Sequence, residues 1–255
     1  MPSQVEINNV YDQIAQEAKK RPPIGYHTVK MTMAGTHWPV QKKKLYESEI
    51  TERFTETLSM VQKGILTAKT ARLNQKNRDL MKRWFGNQVT TPRGWWQGVS
   101  NILYCIERIL LTGVKVYYRG ARDLIGKTSD YPPDLLKNPK PTIGEVDIKG
   151  IAEAAAGDKD GVLGLCKDFF KTSLERKNGI TTVMRAVKLK GIDSVTGTII
   201  HELSHNMCET EDHDRPDNGT ACYGTADCLW LAKNHPNLAW YNADNIEYFC
   251  EENCP

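Results

Sequence analysis

The chain has 255 residues, of which about 40% are hydrophobic, enough to bury a sizeable core as one large domain or as a main domain with an accessory N-terminal part. Its 34 basic and 31 acidic residues leave a net charge of only +3, which argues against a dedicated nucleic-acid binder. No apolar run approaches the roughly 18 residues that a membrane span requires.

Residues 1–45 read as an N-terminal extension or accessory segment: a short amphipathic stretch near 5–20, a Pro22-Pro23 break, then the basic run Lys42-Lys43-Lys44, a solvated surface. The main domain is expected over 46–255. From Glu47 to about Trp84 a helical pattern runs without an interior proline and is closed by Gly86, with Leu58, Val61, Ile65 and Leu66 as a core-facing stripe. Pro92-Arg93-Gly94 precedes a second apolar helix over roughly 99–112. Val114-Lys115-Val116-Tyr117-Tyr118 predicts a strand from its β-branched and aromatic content. The stretch 126–145, rich in Gly, Pro, Asp and Lys, predicts a loop, and Val162 to Cys166 with Phe169-Phe170 suggests another short strand. The expected class is α+β, mainly helical, with a small sheet.

Five of the seven cysteines (Cys208, Cys222, Cys228, Cys250 and Cys254) lie in the last 48 residues. No Cys-x-x-Cys pair occurs, so disulfides are expected rather than a cysteine metal site. That expectation carries with it oxidising working conditions.

The chemistry concentrates at His201-Glu202-Leu203-Ser204-His205. Two histidines four residues apart lie one turn apart on one helix face, so both imidazoles can reach a single ion. At about 100° per residue they sit near 0° and 40°, whereas Val195, Ile199, Ile200 and Leu203 fall between about 120° and 260°. One face is thus left for packing and the other for a metal, with Asp193 or Ser194 as helix cap. Glu202, near 100°, is placed beside the histidines, where it can contact water at a bound zinc ion. A catalytic zinc needs a third protein ligand and an open position. Asp212, His213, Asp214, Asp217 and the later Glu247 are all chemically able to supply it, and spacing alone leaves them open.

These pieces resemble the deuterolysin, or aspzincin, metalloendopeptidases, including the peptidyl-Lys metalloendopeptidases. That family joins a His-Glu-x-x-His helix to a Gly-Thr-x-Asp-x-x-Tyr-Gly block and a later segment like Asn-Ala-Asp-x-x-Glu-Tyr-Phe. Here the counterparts are His201 to His205, Glu209-Thr210-Glu211-Asp212, Tyr223-Gly224, and Asn242 to Phe249. Similarity is closest over about 195–252, with echoes at Arg83-Trp84-Phe85-Gly86 and Leu165 to Phe170. The resemblance implies a zincin-like fold and one catalytic zinc ion, with Asp212 as the third ligand beside His201 and His205. It further implies Glu202 as general base, Tyr223 as hydrogen-bond donor to the oxyanion, and Asp244 and Glu247 as an acidic pocket for a lysine after the scissile bond. The substrate is then a protein or peptide.

One departure stands out. The family Asp lies three positions before the Tyr, but Asp212 and Tyr223 are eleven apart, which implies an insertion near 214–221 pinned by Cys208 and Cys222, with Asp214 as the substitute ligand. The rival readings are a peptidase class completed by Glu247 and a non-catalytic zinc-binding module that recognises a partner protein. Residues 1–6 lack the basic start and apolar stretch of a secretory leader. Together with the cysteine-rich end this makes a toxin-like effector, acting outside the producing cell and countered by an inhibitor or immunity protein, a further expectation.

Overall fold

The computed structural model describes residues 29–33, 43–87, 95–118, 152–154, 162–165, 194–208 and 210–253. The expected features at 5–20, Pro22-Pro23, Pro92 to Gly94, 126–145 and Phe169-Phe170 lie outside them. The described elements are β1 (Met31–Met33), α1 (Lys43–Thr70), α2 (Gln75–Phe85), α3 (Trp95–Thr112) and β2 (Val114–Tyr118), followed by β3 (Ala152–Ala154) and β4 (Val162–Leu165). The C-terminal part holds α4 (Val195–Cys208), α5 (Gly224–Asn234), α6 (Pro236–Ala239) and α7 (Ala243–Glu252). No described helix is long and apolar enough to cross a membrane.

The sheet has four strands in the order β1-β2-β4-β3. Two of its three pairings are parallel, Met31 facing Val114 and Val116 facing Leu163, while β3 runs antiparallel to β4. Val114, Val116, Leu163 and Leu165 are buried, so their alternate positions on β2 and β4 face the core. β1 falls within the expected N-terminal extension, yet it is built into this sheet, and Val29 beside it joins the core.

The single helix expected from Glu47 to Trp84 is two helices. Asn74 ends the continuity by capping α2, its side-chain oxygen accepting from the Asn77 N–H at 3.2 Å. Arg78 then takes the carbonyls of Ala71 and Arg72 at 3.2 and 2.7 Å, satisfying groups left open where α1 stops. Leu58, Val61 and Ile65 are buried as expected, but Leu66 is exposed because it stands about 100° round the helix from Ile65. Gly86 closes α2 with φ 81°, donating to the Lys82 carbonyl at 2.8 Å.

Helices α1, α3, α4 and α7 pack around one apolar core that includes Phe54, Leu103, Ile199, Leu203 and Phe249. Gly64 allows a close approach within it. A Cβ there would stand 3.0 Å from Leu103 and 3.1 Å from the Cys250 sulfur. The Arg83 to Gly86 echo sits directly on α7: Trp84 stacks on Tyr248, Phe85 meets Phe249, and the Trp84 indole N–H donates to Glu252 at 2.7 Å.

Candidate metal centre and active site

Helix α4 places the two histidines. Ser194 caps it, its hydroxyl accepting from the Gly197 N–H at 2.9 Å, and Val195, Ile199, Ile200 and Leu203 are buried against the core. His201 and His205 emerge on the other face, with their Nε2 atoms 3.1 Å apart.

Each ring is anchored through its other nitrogen. His201 Nδ1 lies 2.7 Å from Asp244 Oδ1, and His205 Nδ1 lies 2.6 Å from the Thr210 carbonyl oxygen. A carbonyl only accepts, so Nδ1 of His205 carries the proton and Nε2 presents a lone pair. The Asp244 carboxylate imposes the same tautomer on His201. Ser204 and Thr210, joined hydroxyl to hydroxyl at 2.6 Å, steady the turn that brings the Thr210 carbonyl to His205.

Asp212 completes the group, its Oδ1 lying 3.3 Å from His201 Nε2 and 3.5 Å from His205 Nε2. It is carried there by the pairing of Glu211 with Asn242: the Glu211 N–H donates to Tyr241 O, the Ala243 N–H to Glu211 O, each at 3.1 Å, and the Asn242 side chain accepts from the His213 N–H at 3.0 Å. Three acceptor atoms therefore converge with edges of 3.1, 3.3 and 3.5 Å. Ligands about 2.0–2.2 Å from a tetrahedral zinc stand about 3.3–3.6 Å apart, so this donor set fits the ion that the sequence implies. Two nitrogens and one oxygen are also the donor types that catalytic zinc takes.

The alternative ligands lie elsewhere. Asp214 belongs to an antiparallel bridge with Ala221, Asp217 is paired with Arg215, and His213 Nδ1 faces Glu211 at 3.4 Å. Glu247 approaches His201 from the Nδ1 edge at 3.6 Å, away from His205. With Asp244 and His201 it makes the second cluster of ligand-type atoms among the described residues, overlapping the first at His201.

The long separation of Asp212 from Tyr223 is closed by a hairpin. His213 O accepts from the Cys222 N–H at 2.8 Å and Thr220 O from the Arg215 N–H at 2.7 Å, with Gly219 at φ 69° in the turn. Its two feet meet, and the Tyr223 hydroxyl donates to Asp212 Oδ2 at 2.8 Å. The expected pin between Cys208 and Cys222 is not what closes it. The Cys208 sulfur faces the Ile102 carbonyl at 3.7 Å, and Cys222 and Cys228 are thiols, Cys228 donating to the Cys222 carbonyl at 3.5 Å. Burial pushes the Cys222 thiol up to about 11.

The electrostatics follow from this crowding. Burial acts against charge on His201 but is outweighed by its hydrogen bonds to Asp212 and Asp244, so its pKa stands well above 6.5. Burial likewise opposes the Asp212 carboxylate, yet hydrogen bonds from both histidines hold it well below the usual carboxylate range. Burial and the bond to Asp212 raise the Tyr223 phenol, keeping it a protonated donor. Glu202 is half-buried, and its charge acts on both His201 and Tyr223.

Asp244 is 4% exposed and occupied on both oxygens, the second accepting from the Gly224 N–H at 2.8 Å. Glu247 is 1% exposed. Asn242, Thr210 and Arg215 are the structural contributors that motif reasoning did not assign. The first two lie inside the quoted motif segments, but nothing in their spacing marks what they hold.

Residues 156–251 match the family model of the aspzincins, described as lysine-specific metallo-endopeptidases. Over this segment the chain resembles the aspzincin metalloendopeptidases. Within curated proteins, a peptidyl-Lys metalloendopeptidase of Armillaria mellea is 37% identical over 95 residues, which are 36% of this chain and 20% of that protein. A peptidyl-Lys metalloendopeptidase of Pleurotus ostreatus is 43% identical over 65 residues, 25% of this chain and 34% of that protein. An extracellular protease of Aeromonas hydrophila is 48% identical over 62 residues, 24% of this chain and 16% of that protein. The chain thus spans about a sixth to a third of the length of these curated relatives. The fold is also similar to a zinc peptidase from Grifola frondosa, with a TM-score of 0.52 at 19% identity, covering 82% of this chain and 95% of that one.

Proposed function

We propose that the chain is a zinc-dependent endopeptidase in which His201, His205 and Asp212 hold the ion. The observation that carries the reading is the convergence of three lone-pair atoms within 3.5 Å of one another, with both imidazoles anchored through Nδ1. Such a cluster repels itself unless a cation or proton lies between its members. Zinc bound there would polarise the scissile carbonyl and lower the pKa of a coordinated water. Glu202, one position on from His201, accepts the proton of the attacking water and returns it to the leaving amine. Tyr223, standing at the rim with 53% of its surface exposed, donates its hydroxyl hydrogen to the oxyanion.

A preference for lysine after the cleaved bond is part of this proposal. It is supported by the names of the Armillaria and Pleurotus relatives and by two buried carboxylates, Asp244 and Glu247, beside His201. A lysine ammonium reaching them would meet negative charge in a poorly solvated setting. Action outside the producing cell, carried over from the Aeromonas relative named an extracellular protease, belongs to the same reading.

The test compares wild type with Glu202→Gln for zinc content and cleavage of lysine-containing peptides. One equivalent of zinc in both, with cleavage before lysine in wild type alone, is the expected result. Zinc in both without cleavage of any peptide would favour a binding module, and absence of zinc from both would overturn the metal centre.

A further inference from the structure

Tyr223 presents a problem of support: it is more than half exposed, and it is carried at one foot of a two-stranded ribbon, a type of element that is marginal when isolated. Its ladder fixes the two strands to each other but not to the body of the protein. At the feet, the His213 N–H donates to the Asn242 side chain and the Cys228 thiol to the Cys222 carbonyl; nearer the tip, the link to the body is Arg215. Its Nε and Nη2 donate to the two oxygens of Asp217 at 3.0 and 2.8 Å, within the hairpin. Nη1 reaches Asp227 on α5 at 3.1 Å, and the guanidinium lies 3.9 Å from the centre of the Trp230 ring, one turn further along that helix.

Helix α5 begins at Gly224, immediately after Tyr223, which occupies its N-cap position. Arg215 therefore braces the strand leaving Asp212 against the helix leaving Tyr223. The donor fork and the ring-facing plane are used together, which a lysine ammonium cannot reproduce. Partly exposed ion pairs of this kind contribute little to global stability, so the brace matters chiefly for where the hairpin's feet stand.

Resting on the peptidase reading, we propose that Arg215 is a positioning residue, locking the 213–222 hairpin onto α5 so that the Tyr223 hydroxyl is held over Asp212 and the reacting carbonyl.

The experiment is a double-mutant cycle of Arg215→Met and Tyr223→Phe, with zinc content, thermal midpoint, kcat and KM measured on a quenched peptide containing one lysine. Methionine keeps an apolar stem over Trp230 while removing the charge and its hydrogen bonds. Arg215→Met is expected to keep one equivalent of zinc and melt within a few degrees of wild type. Its kcat should fall about 10- to 100-fold, the scale of a small misplacement of a catalytic group, with KM within about twofold. In the Tyr223→Phe background the same change should alter kcat by less than about twofold, because the group it positions is already gone. Asp227→Asn, a milder change, should reproduce part of the kcat loss and serves if Arg215→Met fails to fold. Wild-type kcat in these single variants, or losses that multiply fully with Tyr223→Phe, would overturn the positioning role and leave the peptidase standing. A wild-type protein that binds zinc but cleaves nothing would overturn the peptidase reading itself.

Discussion

His201 faces a carboxylate at each ring nitrogen, Asp244 at Nδ1 and Asp212 at Nε2. Without metal, these partners hold its proton above the ordinary 6.5 against the opposing effect of burial. The sign then follows from linkage. A raised folded pKa stabilises fully below 6.5, and that contribution is lost as pH rises through the folded value. Asp212 works the other way: its contribution is present above the ordinary 3.8 and is lost as pH falls towards its depressed value. The metal-free protein should therefore lose stability as pH is raised past neutrality. Zinc binding near pH 7 should release a proton, visible as a calorimetric heat that depends on the buffer's ionisation enthalpy. Equal heats in all buffers would show that His201 is already neutral. The anchor itself is open to test. Asp244→Asn weakens the acceptor for the Nδ1 proton and should reduce zinc affinity about 10- to 100-fold in competition with a chelator. Unchanged affinity would mean that the ring is oriented by other contacts.

Helices α4 and α7 meet where Gly197 faces Glu247 and Glu251, and a Cβ at that position would collide with both carboxylates. Glu251 also accepts from the Ser194 hydroxyl and, at 3.3 Å, from its N–H, so one acid of α7 secures the start of the histidine helix. Gly197→Ala should cost about 2 kcal/mol, the usual scale of overpacking, measured by denaturant unfolding. A neutral result would show that the helices can separate without consequence. This junction also marks how far the sequence could be read. The stripe of Val195, Ile199, Ile200 and Leu203 and the cap at Ser194 were legible because helical periodicity is a local property. The break at 71–74 was not, because no proline or glycine marks it, and it depends on Arg78 reaching back to two carbonyls. The meeting of Asp212 with the imidazoles depends on the pairing of Glu211 with Asn242, a contact 31 positions apart that no local spacing encodes.

At the scale of the whole molecule, the described C-terminal cysteines are all buried. Cys222 and Cys228 are 2% and 0% exposed, and Cys105 is buried among the residues of α3. Site-resolved mass spectrometry after iodoacetamide at pH 8 should find these three unmodified in the native protein and alkylated once it is unfolded, since burial opposes reaction at all three and a raised thiol pKa adds to it at Cys222 and Cys228. Rapid native alkylation at Cys222 would mean that the hairpin opens readily. The count and clustering of cysteines suggested covalent staples, whereas Cys222 and Cys228 are buried thiols that serve as small apolar side chains beside the hairpin and α5.

The hairpin between Asp212 and Tyr223 has one more consequence, for how such sites diversify. A ladder that closes at its base can grow at its tip by matched pairs of residues, one on each arm, without moving the two feet. The interval between ligand and tyrosine along the chain is then free to drift in even steps while their separation in space stays fixed. The eleven positions here, against a hydroxyl-to-carboxylate distance of 2.8 Å, are an instance of that freedom. A search that fixes this interval would pass over chains of the same build, whereas one that allows an even-numbered gap bounded by pairing-competent arms would find them.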